Sequence, residues 1–136
     1  MLENFQTIVK KAMVLVPEKV DFTIATTDVE VVYTERNGVR LSVEVQIAEG
    51  VYKKVDFLFT TVAQVKCTTL NFFEHHYNEF TIEGTSDTLF YQITNSPELR
   101  AKAPLFDPTG SLALKHYLLI GYDSYIEIIA SGYKYS

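Results

Sequence analysis

Between Val20 and Thr60, apolar and polar residues alternate in short runs bounded by turn-forming residues, and turn chemistry and alternation have to agree on one register. In ERNGVR, a loop of Arg36, Asn37 and Gly38 with Gly38 in the left-handed region sets Tyr33 opposite Leu41 and Val31 opposite Val43. The same device at Ala48, Glu49 and Gly50 sets Val43 against Val55, Leu41 against Phe57 and Val39 against Phe59, with Glu44 facing Lys54 on the other side. A two-residue loop at either place would oppose Val43 to Asp56, or Thr34 to Leu41, and mix the faces. A further turn near Thr27 and Asp28 then opposes Ile24 to Val31 and Phe22 to Tyr33. The expectation is a four-stranded antiparallel meander from about residue 20 to 60. One face is apolar, from Phe22 and Ile24 through Tyr33 and Leu41 to Phe57 and Phe59; the other, with Glu30, Arg40, Ser42, Glu44 and Asp56, is wet.

Flanking segments carry weaker patterns. Leu2, Phe5, Val9, Ala12, Met13 and Val16 fall on one side of a helix, Lys10 and Lys11 suit its C-terminal end, and Pro17 stops it. AQVKCTTLNFF alternates as a strand whose apolar phase slips, as at a bulge. A strand is expected at Leu89 to Thr94, and Ser96-Pro97-Glu98 is a helix start that Pro104 limits to about two turns. LFDPTGS reads as a turn. From about 112 to 131, apolar residues at odd and even positions predict a hairpin covered on both faces, with GYDS at its turn. The fold class is α+β: a predominantly antiparallel, strongly curved sheet with an N-terminal α-helix packed on it, and residues 1–136 forming a single domain. No repeat or linker interrupts the chain.

Composition narrows the function classes. A chain of 136 residues with a formal charge of −5 repels phosphate backbones and anionic surfaces, so neither nucleic acid nor membrane is an expected partner. No apolar run reaches the ~18–20 residues of a bilayer span. Glu3 ahead of any cation, with Lys10 and Lys11 inside the apolar region, is the wrong order for an export signal. The single cysteine, Cys67, has no internal disulfide partner, which favours a reducing compartment and a cytoplasmic protein.

KHYLLIGYDSYIEII holds the most concentrated chemistry, with His116, Asp123 and Glu127. Asp123 suits a turn whatever the function. Placing Tyr122 opposite Tyr125 puts His116 opposite Ser131 and Glu127 opposite Ile120, too far apart to touch. A carboxylate inside YIEII nevertheless needs a partner or a raised pKa if it is buried, so Glu127, with His116 and Tyr117, is the expected lining of any ligand pocket. Glu74, His75 and His76 do not form a metal set, because adjacent side chains in a strand diverge; neither a metal nor a cofactor is expected. Cys67, flanked by Val65 and Thr69, reads as an inert buried thiol, and there is no catalytic residue to name: no nucleophile elbow, phosphate loop or dinucleotide fingerprint is present. The tyrosines of GYDSY and SGYKYS could face a partner together. Two readings follow. The first is a non-enzymatic binding or protein-interaction domain, with a protein partner or a second copy of itself. The alternative is a small-ligand pocket protein or hydrolase-like enzyme with a cavity between the N-terminal helix and the sheet.

Overall fold

The computed structural model describes residues 13–69, 80–83 and 88–136. In chain order these form β1 (Met13–Pro17), β2 (Thr23–Thr34), β3 (Gly38–Ala48), β4 (Val51–Thr68), β5 (Phe80–Ile82), β6 (Phe90–Ile93), α1 (Pro97–Phe106), β7 (Lys115–Ile120) and β8 (Tyr125–Tyr135). The strands make one sheet in the order β2-β3-β4-β8-β7-β6-β1-β5, antiparallel except where β1 runs parallel to β5. Phe57 on β4 and Phe90 on β6 are separated by β8 and β7, about 14 Å across a flat sheet. Their ring centroids lie 4.8 Å apart, so the sheet is strongly curled into a half-barrel. Its concave side is filled by Leu41, Val43, Phe57, Phe59, Phe90, Tyr117 and their neighbours.

The register between β3 and β4 follows the alternation of the sequence: Val43 pairs with Val55, Leu41 with Phe57, Val39 with Phe59 and Glu44 with Lys54. The turn is built differently, as a tight Glu49-Gly50 connection plus a bulge between Gln46 and Ala48, which together consume the same number of residues as the expected loop. Between β2 and β3 the loop is Glu35 to Asn37, one residue earlier than expected, so Tyr33 faces Val39 and Val31 faces Leu41. The faces survive because the pairing moves by an even step, although Tyr33 ends 58% exposed.

The meander has three strands rather than four. Residues expected to turn at Thr27 and Asp28 lie inside β2, where the pairing slips between Ala25 and Val29, so Ile24 meets Val45 rather than Val31. A bulge and a turn both reverse the apolar phase, and the bulge is the one that forms. The wet face is also less wet than expected: Ser42 is buried beneath Arg40 and Asp56, accepting from the guanidinium at 3.0 Å and donating to the Asp56 carboxylate at 2.6 Å.

The last residues of the expected N-terminal helix form a strand instead. Met13–Pro17 is a strand held between β6 and β5, and the Val14 N–H donates to Asn95 Oδ1 at 2.6 Å; residues 1–12 lie outside the described residues. The helix of the described structure is α1, in mid-chain, and the described residues are mostly β. It starts where the sequence indicates, with Ser96 capping the Leu99 N–H at 3.0 Å, and continues through Pro104 to Phe106. Cys67 is exposed, not buried, although the strand around it forms; β4 runs unbroken from the meander with a bulge between Val62 and Gln64. No helix among the described residues is long and apolar enough to cross a membrane.

Candidate functional site

Alternation along β7 and β8 sends side chains to both sides of the curl. Tyr117, Leu119, Ile126 and Ile128 enter the concave core, whereas Leu118 and Tyr125 join Leu15, Tyr91 and Ile93 in a second cluster on the convex side. Both strands are therefore buried on both faces, as their unbroken apolar composition implies. His116 and Glu127 share the convex side, and the turn decides whether they meet. Gly121 to Ser124 form the connection, with the Gly121 N–H donating to the Ser124 carbonyl at 2.7 Å, and Ile120 pairs with Tyr125. This corrects the expected pairing of Tyr122 with Tyr125. Two residues of extra loop leave the faces unchanged but set His116 opposite Ile129 and Glu127 opposite Leu118, which makes the two side chains diagonal neighbours. His116 Nε2 lies 3.0 Å from Glu127 Oε1, and both side chains are buried. The expectation that they lie too far apart to touch fails on the length of one turn.

Three further elements complete the group. Strand β4 lies beside β8 and places Lys66 directly opposite Glu127, with Nζ 3.5 Å from Oε2. The first turn of α1 brings Glu98, whose Oε2 accepts from Lys66 Nζ at 3.0 Å and whose Oε1 accepts from Gln64 and, at 3.0 Å, from Lys102. Ser96, the cap of that helix, lies behind the imidazole with Oγ 2.6 Å from His116 Nδ1. One proton arrangement satisfies every atom. The Ser96 hydroxyl donates to Nδ1 while its oxygen accepts from the Leu99 N–H, and Nε2–H donates to the Glu127 carboxylate. No buried side-chain nitrogen or oxygen among the described residues lacks a partner.

The charges are held as ions. Burial works to raise the Glu98 carboxyl, but hydrogen bonds from Gln64, Lys102 and Lys66, with the charge of Lys66, outweigh it and hold the group at about 2. Burial likewise works to lower Lys66, and its bond to Glu98 together with the Glu127 and Glu98 carboxylates keeps it above its ordinary value. An ammonium thus lies between two carboxylates beside a buried imidazole. These groups form one wall of a pocket of about 320 Å³, whose remaining lining is Met13, Phe80, Pro97 and Tyr125. Such a pocket offers a small molecule fixed polar partners of both signs and an apolar wall. Glu98, His116 and Glu127 also present three potential metal-ligand atoms within 4.8 Å of one another.

Of the residues singled out in the sequence, His116 and Glu127 come together and Tyr117 does not; it points into the concave core against Phe59 and Tyr133, with centroids 5.4 Å away in each case. Asp123 is exposed in the turn. Glu74, His75 and His76 lie outside the described residues. The tyrosines of the last two motifs separate, Tyr122 and Tyr135 being exposed, Tyr125 buried and Tyr133 packed on the core. Sequence reasoning missed Lys66, Glu98, Gln64 and Ser96 as members of the site. Ser96 and Glu98 were legible only as helix-start residues, and Gln64 with Lys66 only as the polar phase of a strand. The signal that unites them is the adjacency of β4 and β8, which no local pattern encodes. No protein-family model, curated protein or solved structure matches this chain.

Proposed function

We propose that this protein is a small, non-enzymatic binding domain and that its ligand is a small molecule held in the pocket over His116 and Glu127. The single observation that supports this reading is the buried His116–Glu127 contact at 3.0 Å on the wall of a pocket large enough for a ligand. Burying an imidazole and a carboxylate on the convex side of a sheet is costly in a site that serves packing alone, where an apolar pair of similar volume would do as well or better. The ligand that fits has a polar group addressed to Lys66, Glu98 and Glu127 and an apolar part that rests on Met13, Phe80 and Tyr125. The exposed thiol of Cys67 agrees with a reducing, cytoplasmic setting. The test is native mass spectrometry of the protein purified from its own source, followed by titration of any retained molecule into wild type and Glu127→Gln. A retained small molecule whose affinity falls at least tenfold in Glu127→Gln, with unchanged circular dichroism, supports the reading. Equal affinity in the two proteins, or no small molecule retained or bound, removes it.

A second reading has an observation of its own. Strand β2 is an edge of the sheet twelve residues long, and beside it Val32, Arg40 and Leu58 form one cross-strand row in which Leu58 is 42% exposed. A protein partner or a second copy seated on this face of the sheet, beside the β2 edge, would cover that row. It predicts a concentration-dependent dimer or a protein complex that Leu58→Glu dissolves, read by size exclusion with light scattering.

A further inference from the structure

We infer that the polar wall of this pocket is a divalent transition-metal site of the zinc class, formed by Glu98, His116 and Glu127 when the Lys66 ammonium swings aside. The inference rests on the pocket being the binding site and names what binds at its wall.

Three side chains from three elements, β7, β8 and the first turn of α1, bring one imidazole nitrogen and two carboxylates within 4.8 Å of one another. Zinc bonds of about 2.0–2.1 Å to nitrogen and oxygen ask for ligand atoms about 3.3 Å apart, within reach of modest side-chain rotations. His116 and Glu127 already stand at 3.0 Å, and the Glu98 carboxylate, now bonded to Gln64, Lys66 and Lys102, gains freedom to turn once Lys66 leaves it. One nitrogen and two oxygens suit zinc better than magnesium or calcium, which take oxygen shells. Three protein ligands leave a fourth position, and it faces the pocket.

Two observations beyond the ligand set favour a cation here. First, the group already holds one: Lys66 Nζ lies 3.0 Å from Glu98 and 3.5 Å from Glu127, so the field at this point stabilises positive charge, and the side chain that supplies it is 46% exposed and able to leave. Second, His116 has the outer partner that a ligating imidazole needs. With Nε2 protonated, Nδ1 accepts from the Ser96 hydroxyl; with the proton moved to Nδ1, the same hydroxyl oxygen accepts it and Nε2 presents its lone pair to the metal. A hydroxyl serves both tautomers, where a carbonyl or an ammonium would serve only one. The change is one of tautomer, so no net proton leaves the imidazole. Lys66 departs as an ammonium, exchanging one positive charge for two beside two carboxylates.

The test is isothermal titration of zinc chloride into the full chain after treatment with a chelator, for wild type, Lys66→Ala and Glu98→Gln. The proposal expects one zinc per chain, at least tenfold tighter binding in Lys66→Ala because the competing ammonium is gone, and at least tenfold weaker binding in Glu98→Gln. Glu98 is the informative ligand to remove because it is less buried than His116, and unchanged circular dichroism of Glu98→Gln checks that the variant folds. Absence of binding overturns the proposal, as does zinc binding that is unchanged in both variants and so belongs to other residues. If zinc fails while a retained small molecule still depends on Glu127, the pocket remains a binding site and only its metal is refuted.

Discussion

Ser96 has two partners that belong to different parts of the fold, the Leu99 N–H of the helix it caps and the imidazole of a buried histidine on β7. Ser96→Ala should therefore lose more than a surface cap does, about 1–3 kcal/mol in urea denaturation. Ser96→Thr, which keeps the hydroxyl, should recover most of it. Glu98 gives a pH dependence with a definite sign. Its folded carboxyl is held at about 2, below its ordinary 4.5, so the stability it contributes is complete above about pH 4.5 and disappears as the pH falls towards 2. The urea midpoint of wild type should decline over that window, and the decline should be shallower in Glu98→Gln. At this scale the sequence made Glu127 conspicuous, since a carboxylate within YIEII has to find a partner. It concealed which partner, because a four-residue turn and a two-residue turn both give side chains the same faces and differ only in how far along the strand they meet.

The same ambiguity runs through the elements. Val43, Leu41 and Phe57 were legible because turn and alternation restrain each other there, and their pairing forms. Thr27 and Asp28 read as a turn because a bulge between Ala25 and Val29 produces the same phase reversal, and Met13 to Val16 fit a helical stripe that a short buried strand satisfies equally over so few residues. Turn glycines offer a comparison. Gly38 has φ +74°, and a Cβ added there would lie 3.1 Å from the Phe59 carbonyl oxygen; Gly50 has φ +71° and open space around it. Gly50→Ala should cost about 1–2 kcal/mol of backbone strain alone, and Gly38→Ala should cost more, a ranking that parallel thermal denaturation of the two variants would read. Leu41, fully buried between β2 and β4, should lose about 2–5 kcal/mol as Leu41→Ala.

Across the whole molecule, the curl brings together aromatic rings that are remote in sequence. Tyr133 meets Phe90 at 5.0 Å and donates to the Glu18 carboxylate at 2.7 Å, tying β8 to the segment after β1. Burial, then the Glu18 carboxylate, pushes the Tyr117 hydroxyl up to about 12 from an ordinary 10, and the same two causes push Tyr133 higher still. A raised folded pKa means stability that is intact below pH 10 and lost as the pH climbs through 12. In an alkaline titration followed at 295 nm, Tyr117 and Tyr133 should ionise only together with unfolding. The curl itself was legible as an aromatic-rich curved sheet, whereas the order of strands that builds the pocket was not, because β4 and β8 are neighbours through pairs far apart along the chain, from Thr68 with Tyr125 to Phe57 with Tyr135. The most direct test of the central claim is therefore a map of where a ligand touches this sheet, from amide chemical-shift changes in the labelled protein on adding the retained molecule. The account expects the changes to centre on Lys66, Glu98, His116, Tyr125 and Glu127. Changes centred on Val32, Arg40 and Leu58 at the β2 edge, with the pocket silent, would contradict it.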